Sequence, residues 1–167
     1  AGIETQPGAY CFAAAWGDSN NDGYPDLFIA AGGAGTRTNL LYLNAGNGTF
    51  TLAAPEAGPI VTDRRDSFGC AWADFNNDGQ RDLLLINGPW GAARNELYWN
   101  QGGGSFSRGN GGNLTAWSMF RGWPACADAD GDGYVDVFLS DATATSGPFS
   151  PRLYRNTGHG SFTPVEI

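Results

Sequence analysis

The chain has 167 residues, of which 41% are hydrophobic and 13% aromatic, a globular composition large enough for one domain or a short repeat array. Its net charge is −8 and all nine basic residues are arginine, so it offers neither a basic stripe for nucleic acid nor a lysine for Schiff-base chemistry. Since no apolar run reaches roughly 18 residues, we also expect no membrane insertion.

Three acidic segments of nine residues divide the chain into repeats: DSNNDGYPD (18–26), DFNNDGQRD (74–82) and DADGDGYVD (128–136). Each has an acid at positions 1, 5 and 9, an acid or amide at position 3, and glycine at position 6. Their first aspartates are 56 and 54 residues apart, a period typical of repeat architectures. We therefore predict one repeat domain of three units, residues 1–56, 57–112 and 113–167.

A small apolar strand is predicted at the start of each unit, at 11–16, 68–72 and 123–126. Each of these strands contains one cysteine, and the three show no CxxC spacing. Cys70 and Cys126 lie on the same side of their strands, so a disulfide between neighbouring units is one interpretation. Free, buried thiols at these two positions and at Cys11 are the other, which we favour.

The acidic loop that follows each strand has the donor pattern of a calcium site. Ca²⁺ binds six to eight oxygens at about 2.3–2.6 Å, and it would neutralise carboxylates that otherwise repel one another. We predict side-chain ligands at positions 1, 3, 5 and 9 and a main-chain carbonyl ligand at position 7, with the glycine at position 6 allowing a sharp turn. The predicted ligands of three Ca²⁺ ions, one per repeat, are Asp18, Asn20, Asp22, Tyr24 and Asp26; Asp74, Asn76, Asp78, Gln80 and Asp82; and Asp128, Asp130, Asp132, Tyr134 and Asp136.

Different loop types and a different ion fit these segments less well. An EF-hand or dockerin loop closes with an acid at position 12 and enters a helix, whereas these loops close at position 9 and enter a strand. Asx turns that merely end strands would not need three or four carboxylates in each loop. Mg²⁺ demands a stricter octahedron and keeps its waters, so Ca²⁺ is the predicted ion.

Three further strands complete each unit. The second is apolar throughout (27–30, 83–86 and 137–140), the third follows a variable connection (39–44, 95–100 and 152–156), and the fourth follows a glycine turn and begins near residues 50, 106 and 162. Four short strands joined by turns predict an antiparallel meander of the kind that forms one propeller blade. No segment has a convincing helical period, so the predicted fold class is all-β.

The glycine turn contains the only histidine of the chain. Asn47, Gly103 and His159 occupy equivalent positions, and all three residue types tolerate positive φ better than most. His159 is therefore predicted to be a left-handed turn residue rather than a catalytic group. With no paired acids outside the three loops, we predict no catalytic residue and no enzymatic activity.

The repeated pattern WxDxNxDGxxDL…NxLYxNxGxGxF resembles the FG-GAP/VCBS repeat of integrin α-subunit-like propellers, in the version found in cartilage acidic protein. The resemblance covers the whole chain and implies β-propeller blades, each with one Ca²⁺ in the loop between its first two strands. It also implies binding or structural work outside the cell or at its surface. Two features depart from the family: such propellers usually have seven blades, and the third unit has Cys126 in place of the first-strand Trp.

Three units are too few to close a propeller. Because the chain does not begin with Met and has no signal peptide, we expect it to be a processed or excised piece. Each terminal unit would then leave one sheet face for association. The predicted function is a non-enzymatic, extracellular, Ca²⁺-stabilised module that associates with other copies as a ring or fibre, or adheres to a surface protein.

The end of the units opposite the acidic loops is rich in arginine and aromatic residues. As a surface for a partner protein or an acidic glycan we single out Arg37, Trp90, Arg94, Trp117 and Phe149; solvated arginines are the alternative. A carbohydrate-binding propeller lectin, with Trp90 or Trp117 stacking on sugars, is the second predicted function. Asn47 and Asn113 begin glycosylation sequons.

Overall fold

A computed structural model of the chain describes residue 3 and residues 10–32, 37–88, 94–116, 122–141 and 152–165. The described residues form an all-β structure, as predicted, made of three four-stranded antiparallel sheets and one two-stranded sheet. None of their helices has the length and apolar character needed to cross a membrane.

The strands and helices have the following bounds. In chain order the strands are β1 (Tyr10–Gly17), β2 (Asp26–Gly32), β3 (Arg37–Thr38), β4 (Leu40–Asn44), β5 (Phe50–Leu52), β6 (Arg64–Arg65), β7 (Ser67–Ala73), β8 (Asp82–Asn87), β9 (Glu96–Asn100), β10 (Phe106–Gly109), β11 (Gly122–Ala127), β12 (Asp136–Asp141), β13 (Arg152–Asn156) and β14 (Phe162–Val165). A 3-10 turn (Pro55–Ala57) and two helices of four residues, α1 (Pro59–Thr62) and α2 (Asn113–Ala116), interrupt them.

Each four-stranded sheet is a simple meander. The first has the spatial order β1-β2-β4-β5, the second β7-β8-β9-β10 and the third β11-β12-β13-β14, with antiparallel neighbours throughout. Every predicted strand is found, and each sheet lies inside one predicted unit. The unit boundaries themselves, at residues 56 and 112, stay a prediction.

The helical turns and the β3–β6 pair were not predicted. Both helices follow the fourth strand of a sheet, and each inserts one fully buried residue, Ile60 or Leu114, into the core. Gly58, with φ of 90°, and Pro59 initiate α1 without a side-chain cap. One turn of helix is too short to produce a periodic pattern, so sequence periodicity could not reveal it.

The described residues form three apolar clusters, of which two lie between successive sheets and the third belongs to the first sheet alone. Alternate residues of β8 enter different clusters: Leu83 and Leu85 pack with the first sheet, and Leu84 and Ile86 pack with the third. All four side chains are fully buried. Because both faces of this strand are covered, apolar residues are needed on both sides. This explains why the second strand is a continuous apolar run and does not alternate apolar and polar residues.

Neighbouring sheets approach most closely along their first strands, where small residues are required. A Cβ added to Gly69 on β7 would lie 2.3 Å from the carbonyl oxygen of Gly122 on β11. Trp72 lies against Gly17 in the same way, and its indole Nε1 donates to the Ala15 carbonyl at 3.3 Å. The indole of Trp72 on the second sheet therefore packs on a glycine of the first.

Asparagine side chains also join the sheets at the end where the acidic loops lie. The Asn100 amide donates to the Ser19 carbonyl of the preceding unit at 2.8 Å, and the Asn156 amide donates to the Phe75 carbonyl at 2.8 Å. Both amides also donate to a carbonyl of their own unit, Asn100 to Arg81 at 3.0 Å and Asn156 to Val135 at 3.2 Å. Asn44, at the equivalent place in the first unit, makes this second bond, to Pro25 at 2.9 Å.

All three cysteines are free thiols. Cys70 and Cys126 are partly buried against the core, and loss of solvation raises the pKa of each thiol to about 12, which makes them poor nucleophiles. Cys11 is exposed, contrary to the expectation of a buried thiol. It lies beside a bulge near the start of β1, where Tyr10 and Phe12 are exposed as well.

We predict that Asn156→Ala lowers the free energy of unfolding by about 1–2 kcal/mol more than Asn44→Ala does. The first change leaves a buried carbonyl of the neighbouring unit without its donor, whereas the second removes a bond within one unit. Urea denaturation followed by tryptophan fluorescence measures both. Equal losses for the two variants would contradict a role for this asparagine in joining units.

Candidate metal centres

The three acidic loops connect β1 to β2, β7 to β8 and β11 to β12, and they share one backbone path. The glycine at position 6 has φ of 87°, 84° and 90° in the three loops, the sharp turn that was predicted. Position 4 is also left-handed, at Asn21 (57°), Asn77 (58°) and Gly131 (78°). Sequence reasoning missed this second turn, although its signal was present, since Asn and Gly are the residues that tolerate this conformation.

The aspartate at position 1 holds the turn together through backbone bonds. Asp18 accepts the Asp22 N–H on Oδ1 at 3.1 Å and the Gly23 N–H on Oδ2 at 2.9 Å. The equivalent bonds are 3.1 and 2.8 Å at Asp74, and 3.1 and 2.9 Å at Asp128. One carboxylate thus fixes the conformation of the loop at positions 5 and 6.

The aspartate at position 9 is buried and links three parts of each sheet. Asp26 accepts the Ser19 N–H at 3.0 Å and the Asn44 N–H at 2.8 Å, so it joins the loop, the second strand and the third strand. Asp82 and Asp136 do the same in their units, with bonds of 2.8–3.1 Å. Exposure of the three residues is 0%, 0% and 2%.

In the second loop, burial makes the negative charge of Asp82, the aspartate at position 9, energetically costly. Loss of solvation raises the pKa of Asp82 to about 7, although the N–H groups of Asn100 and Phe75 act in the opposite direction. The charges of Asp78 and Asp74 raise it further. A cation held by the same loop would offset this repulsion and favour the ionised carboxylate.

The side chains at positions 3 and 5 lie together in all three loops. Asn20 donates its amide to Asp22 at 2.9 Å, and Asn76 donates to Asp78 at 2.9 Å. In the third loop position 3 is Asp130, which has no amide to donate, and an arginine from β13 contacts it instead. The position 5 carboxylate also accepts the N–H of position 7, as in Tyr24 N–H to Asp22 at 2.9 Å.

The donor set fits a hard cation. In the third loop Asp128, Asp130 and Asp136 each offer a carboxylate oxygen, and these oxygens lie within 4.8 Å of one another. Every predicted side-chain ligand in the three loops provides oxygen, which is the donor atom that Ca²⁺ prefers. The Gln80 side chain is engaged elsewhere, since its Oε1 accepts the Asn21 amide at 2.8 Å, so its main-chain carbonyl is the group left for an ion.

Successive loops touch one another, which was not predicted. Besides Gln80, Asn21 of the first loop reaches the Gly79 carbonyl of the second at 3.3 Å, and Asn77 of the second reaches the Gly133 carbonyl of the third at 2.9 Å. Both donors are the left-handed residues at position 4. The three loops therefore form a continuous row at one end of the sheets.

The glycine turns after the third strands lie beside this row. Gly103 and His159 have positive φ, 62° and 55°, as predicted for a turn role. Asn47 does not, because Gly46 (73°) and Gly48 (83°) take the left-handed positions in that turn. The side-chain carbonyl of Asn47 instead accepts bonds from Thr49, the threonine of its sequon, at 3.0 and 2.6 Å.

Both sequon asparagines are exposed, Asn47 in its turn and Asn113 as the first residue of α2. Exposure is necessary for glycosylation, and modification of either residue stays a prediction.

The predicted partner surface is described only in part. Arg37 is half-buried in β3 opposite Arg65, and Arg94 is exposed. Trp90, Trp117 and Phe149 lie outside the described residues, so the lectin hypothesis that depends on Trp90 and Trp117 stays a prediction.

Two other arginines of the same end form ion pairs within the chain. Arg65 contacts Glu96 at 3.2 Å, and Arg108 contacts Asp63 at 2.6 Å. These two arginines are therefore paired with acids of the chain itself.

Comparison with known families identifies the FG-GAP-like repeat in this chain. The model of the FG-GAP-like repeat matches residues 18–85 and 74–139, so the matched region covers 18–139 and each match contains two of the acidic loops. No curated protein matches the sequence.

We predict that substitutions of Asp26 and Asp22 distinguish the structural role of the first loop from its calcium-binding role. In chelator, Asp26→Ala should cost about 2–4 kcal/mol of unfolding free energy because two buried N–H groups lose their acceptor, whereas the exposed Asp22→Ala should cost less than about 1 kcal/mol. With calcium added, both variants should gain less stability than the wild-type protein. Thermal melts with and without chelator test this, and equal costs in chelator would contradict the structural role of Asp26.

Proposed function

The chain belongs to the FG-GAP-like repeat family, and from this premise we propose that it is a calcium-stabilised extracellular module that acts by associating with protein. FG-GAP-like repeats are typical of extracellular adhesion modules and of β-propeller-like modules, and the family is generally non-enzymatic. In this proposal each four-stranded sheet is one propeller-type blade, and the acidic loop between its first and second strands is a Ca²⁺ site.

The observation that carries the calcium proposal is the repetition of one oxygen-lined loop at the same end of three successive sheets. In each loop the aspartates at positions 1 and 9 are oriented by backbone N–H groups. Ten of the seventeen acids of the chain lie in these loops. Fixing so many like charges is costly unless a cation compensates them.

Each ion would be held by the side chains at positions 1, 3, 5 and 9 and by the carbonyl of position 7, with water completing the shell. Five protein donors in an irregular arrangement favour Ca²⁺ over the stricter Mg²⁺. The bound ion would supply charge neutralisation and a cross-link between the loop and the second strand. Its role is structural, since nothing in this arrangement prepares a nucleophile.

The association proposal rests on a face of the third sheet, which we call the trailing face, formed by Ala125, Ala127, Phe138 and Leu153. The equivalents of Phe138 in the first two sheets, Phe28 and Leu84, are fully buried against the next sheet. Phe138 is 38% exposed, and the face contains a hollow of about 140 Å³.

The complementary side of the first sheet presents Trp16, which is 58% exposed. Its equivalent, Trp72, packs on Gly17 of the preceding sheet. We therefore propose that the trailing face receives the Trp16 side of another copy, in the manner of the internal contacts. Leu27, Ile29, Leu40 and Tyr42 beside Trp16 are already buried, so this contact is smaller than the internal ones.

Calcium should raise the melting temperature, because a ligand that binds only the folded state stabilises it by mass action. At a free concentration a hundredfold above Kd, each site contributes about 2.7 kcal/mol. Melts in calcium, in magnesium and in excess chelator are the measurement, with magnesium expected to act more weakly. A melting temperature that is the same in calcium and in chelator would refute the calcium proposal.

Substitution of the trailing face should weaken self-association. We expect the wild-type chain to show concentration-dependent mass by sedimentation velocity in calcium, and Phe138→Lys to reduce it because a charge would enter an apolar contact. Ala54→Lys, at an exposed position outside the trailing face, is the matched control. A wild-type chain that is monomeric at every concentration would rule out self-association through this face.

A further inference from the structure

The third acidic loop differs from the first two in a pair of residues that lie far apart in sequence. Position 3 is Asn20 and Asn76 in the first two loops but Asp130 in the third. Immediately before the asparagine that ends the third strand of the sheet, the third unit has Arg155, where the first unit has a leucine and the second a tryptophan.

The structure brings these two exchanged residues into contact. Arg155 Nε lies 2.6 Å from Asp130 Oδ2, and a terminal nitrogen of the same guanidinium lies 3.2 Å from Asp132 Oδ2. The next residue, Asn156, donates its N–H to Asp136 at 2.8 Å, which fixes the strand against the loop. The guanidinium is thus directed at two of the predicted calcium ligands.

The charge of the third loop explains why this loop requires a cationic side chain. The first and second loops each have three carboxylates, whereas the third has four, Asp128, Asp130, Asp132 and Asp136. Adding the charge of Arg155 to the four carboxylates of the third loop gives −3, the same as the charge of the three carboxylates in each of the other two loops. In those loops the amide of position 3 donates to position 5, and in the third the guanidinium bridges the same two positions.

The ion pair is exposed to solvent, so a metal ion could replace the guanidinium of Arg155 at the two carboxylates. The side chain of Arg155 is 51% exposed, and those of Asp130 and Asp132 are 35% and 30% exposed. A long, exposed arginine loses little when it moves into solvent. The two carboxylates are therefore accessible to either cation.

We propose that Arg155 is a built-in counter-cation that occupies Asp130 and Asp132 when the third loop is empty and competes with Ca²⁺ for them. The proposal rests on the calcium sites of the proposed function. Arg155 stabilises the metal-free loop and lowers its affinity for calcium, so it sets the affinity of this one site. An ordinary surface ion pair would contribute equally with and without calcium.

Arg155→Leu, which installs the residue of the first unit, tests the competition directly. The full chain is labelled with ¹⁵N, stripped with chelator and titrated with CaCl₂, while the amides of Gly23, Gly79 and Gly133 report the three loops separately. We expect the Gly133 midpoint to fall roughly two- to fivefold in the variant. The Gly23 and Gly79 midpoints should not change, so they are internal controls.

Stability gives a second readout that a purely structural arginine would not produce. Arg155→Leu should lower the melting temperature in chelator and increase the shift that calcium causes. Arg152→Leu, on the same strand at the end away from the loop, should change neither the shift nor the Gly133 midpoint. Arg155→Lys retains the charge without the fork of donors and should fall between wild type and Arg155→Leu.

A double variant tests whether the two exchanged residues compensate each other. Asp130→Asn combined with Arg155→Leu gives the third loop the side-chain donors of the first, and its Gly133 midpoint should return towards the wild-type value. An Arg155→Leu midpoint that is unchanged or higher at Gly133, while all three loops still bind calcium, would overturn this proposal alone. A chain in which none of the three glycines responds to calcium would overturn the proposed function and this inference with it.

Discussion

The fold depends on the buried carboxylate at the ninth position of each acidic loop. Its two oxygens accept N–H groups from the start of the loop and from the third strand, so one side chain fixes where the loop closes and where the sheet begins. A carboxylate without exposure to water would be expensive as an isolated charge. The surrounding N–H groups compensate part of this cost, and a cation shared with the exposed carboxylates of the loop is the remaining compensation that we propose.

The second constraint is that the middle sheet packs against a neighbouring sheet on each of its two faces. The central strand β8 meets it with leucine and isoleucine on alternate sides, and the asparagines at the ends of β9 and β13 add polar bonds between units. The third unit departs from the pattern in related ways: Cys126 replaces the tryptophan, Phe138 is exposed and Arg155 faces the loop. These departures are the reason that we propose both association and adjustable ion affinity for the third unit.

Much of this architecture could be predicted from the sequence, because repetition shows the same signal three times. The acidic loop, the apolar second strand and the glycine turn each recur in phase, so all the main strands and the left-handed glycine at position 6 were found. Features that depend on contacts between units or between distant strands could not be predicted. The Asn21–Gln80 bond and the Arg155–Asp130 pair join residues that are 59 and 25 positions apart, and no local pattern encodes them. At Asn47 a local pattern gave the wrong expectation. Asparagine tolerates positive φ, but in this turn the glycines on either side of it adopt the left-handed conformation instead.

The central claim is that a cation compensates each acidic loop, and a count of bound ions tests it most directly. Native mass spectrometry of the chelator-stripped chain, with calcium added back, resolves each stoichiometry. The account predicts three calcium ions per chain, reduced to two by Asp26→Ala, which removes a ligand of the first loop. A chain that stays metal-free under these conditions, or a variant that still binds all three ions, would contradict it.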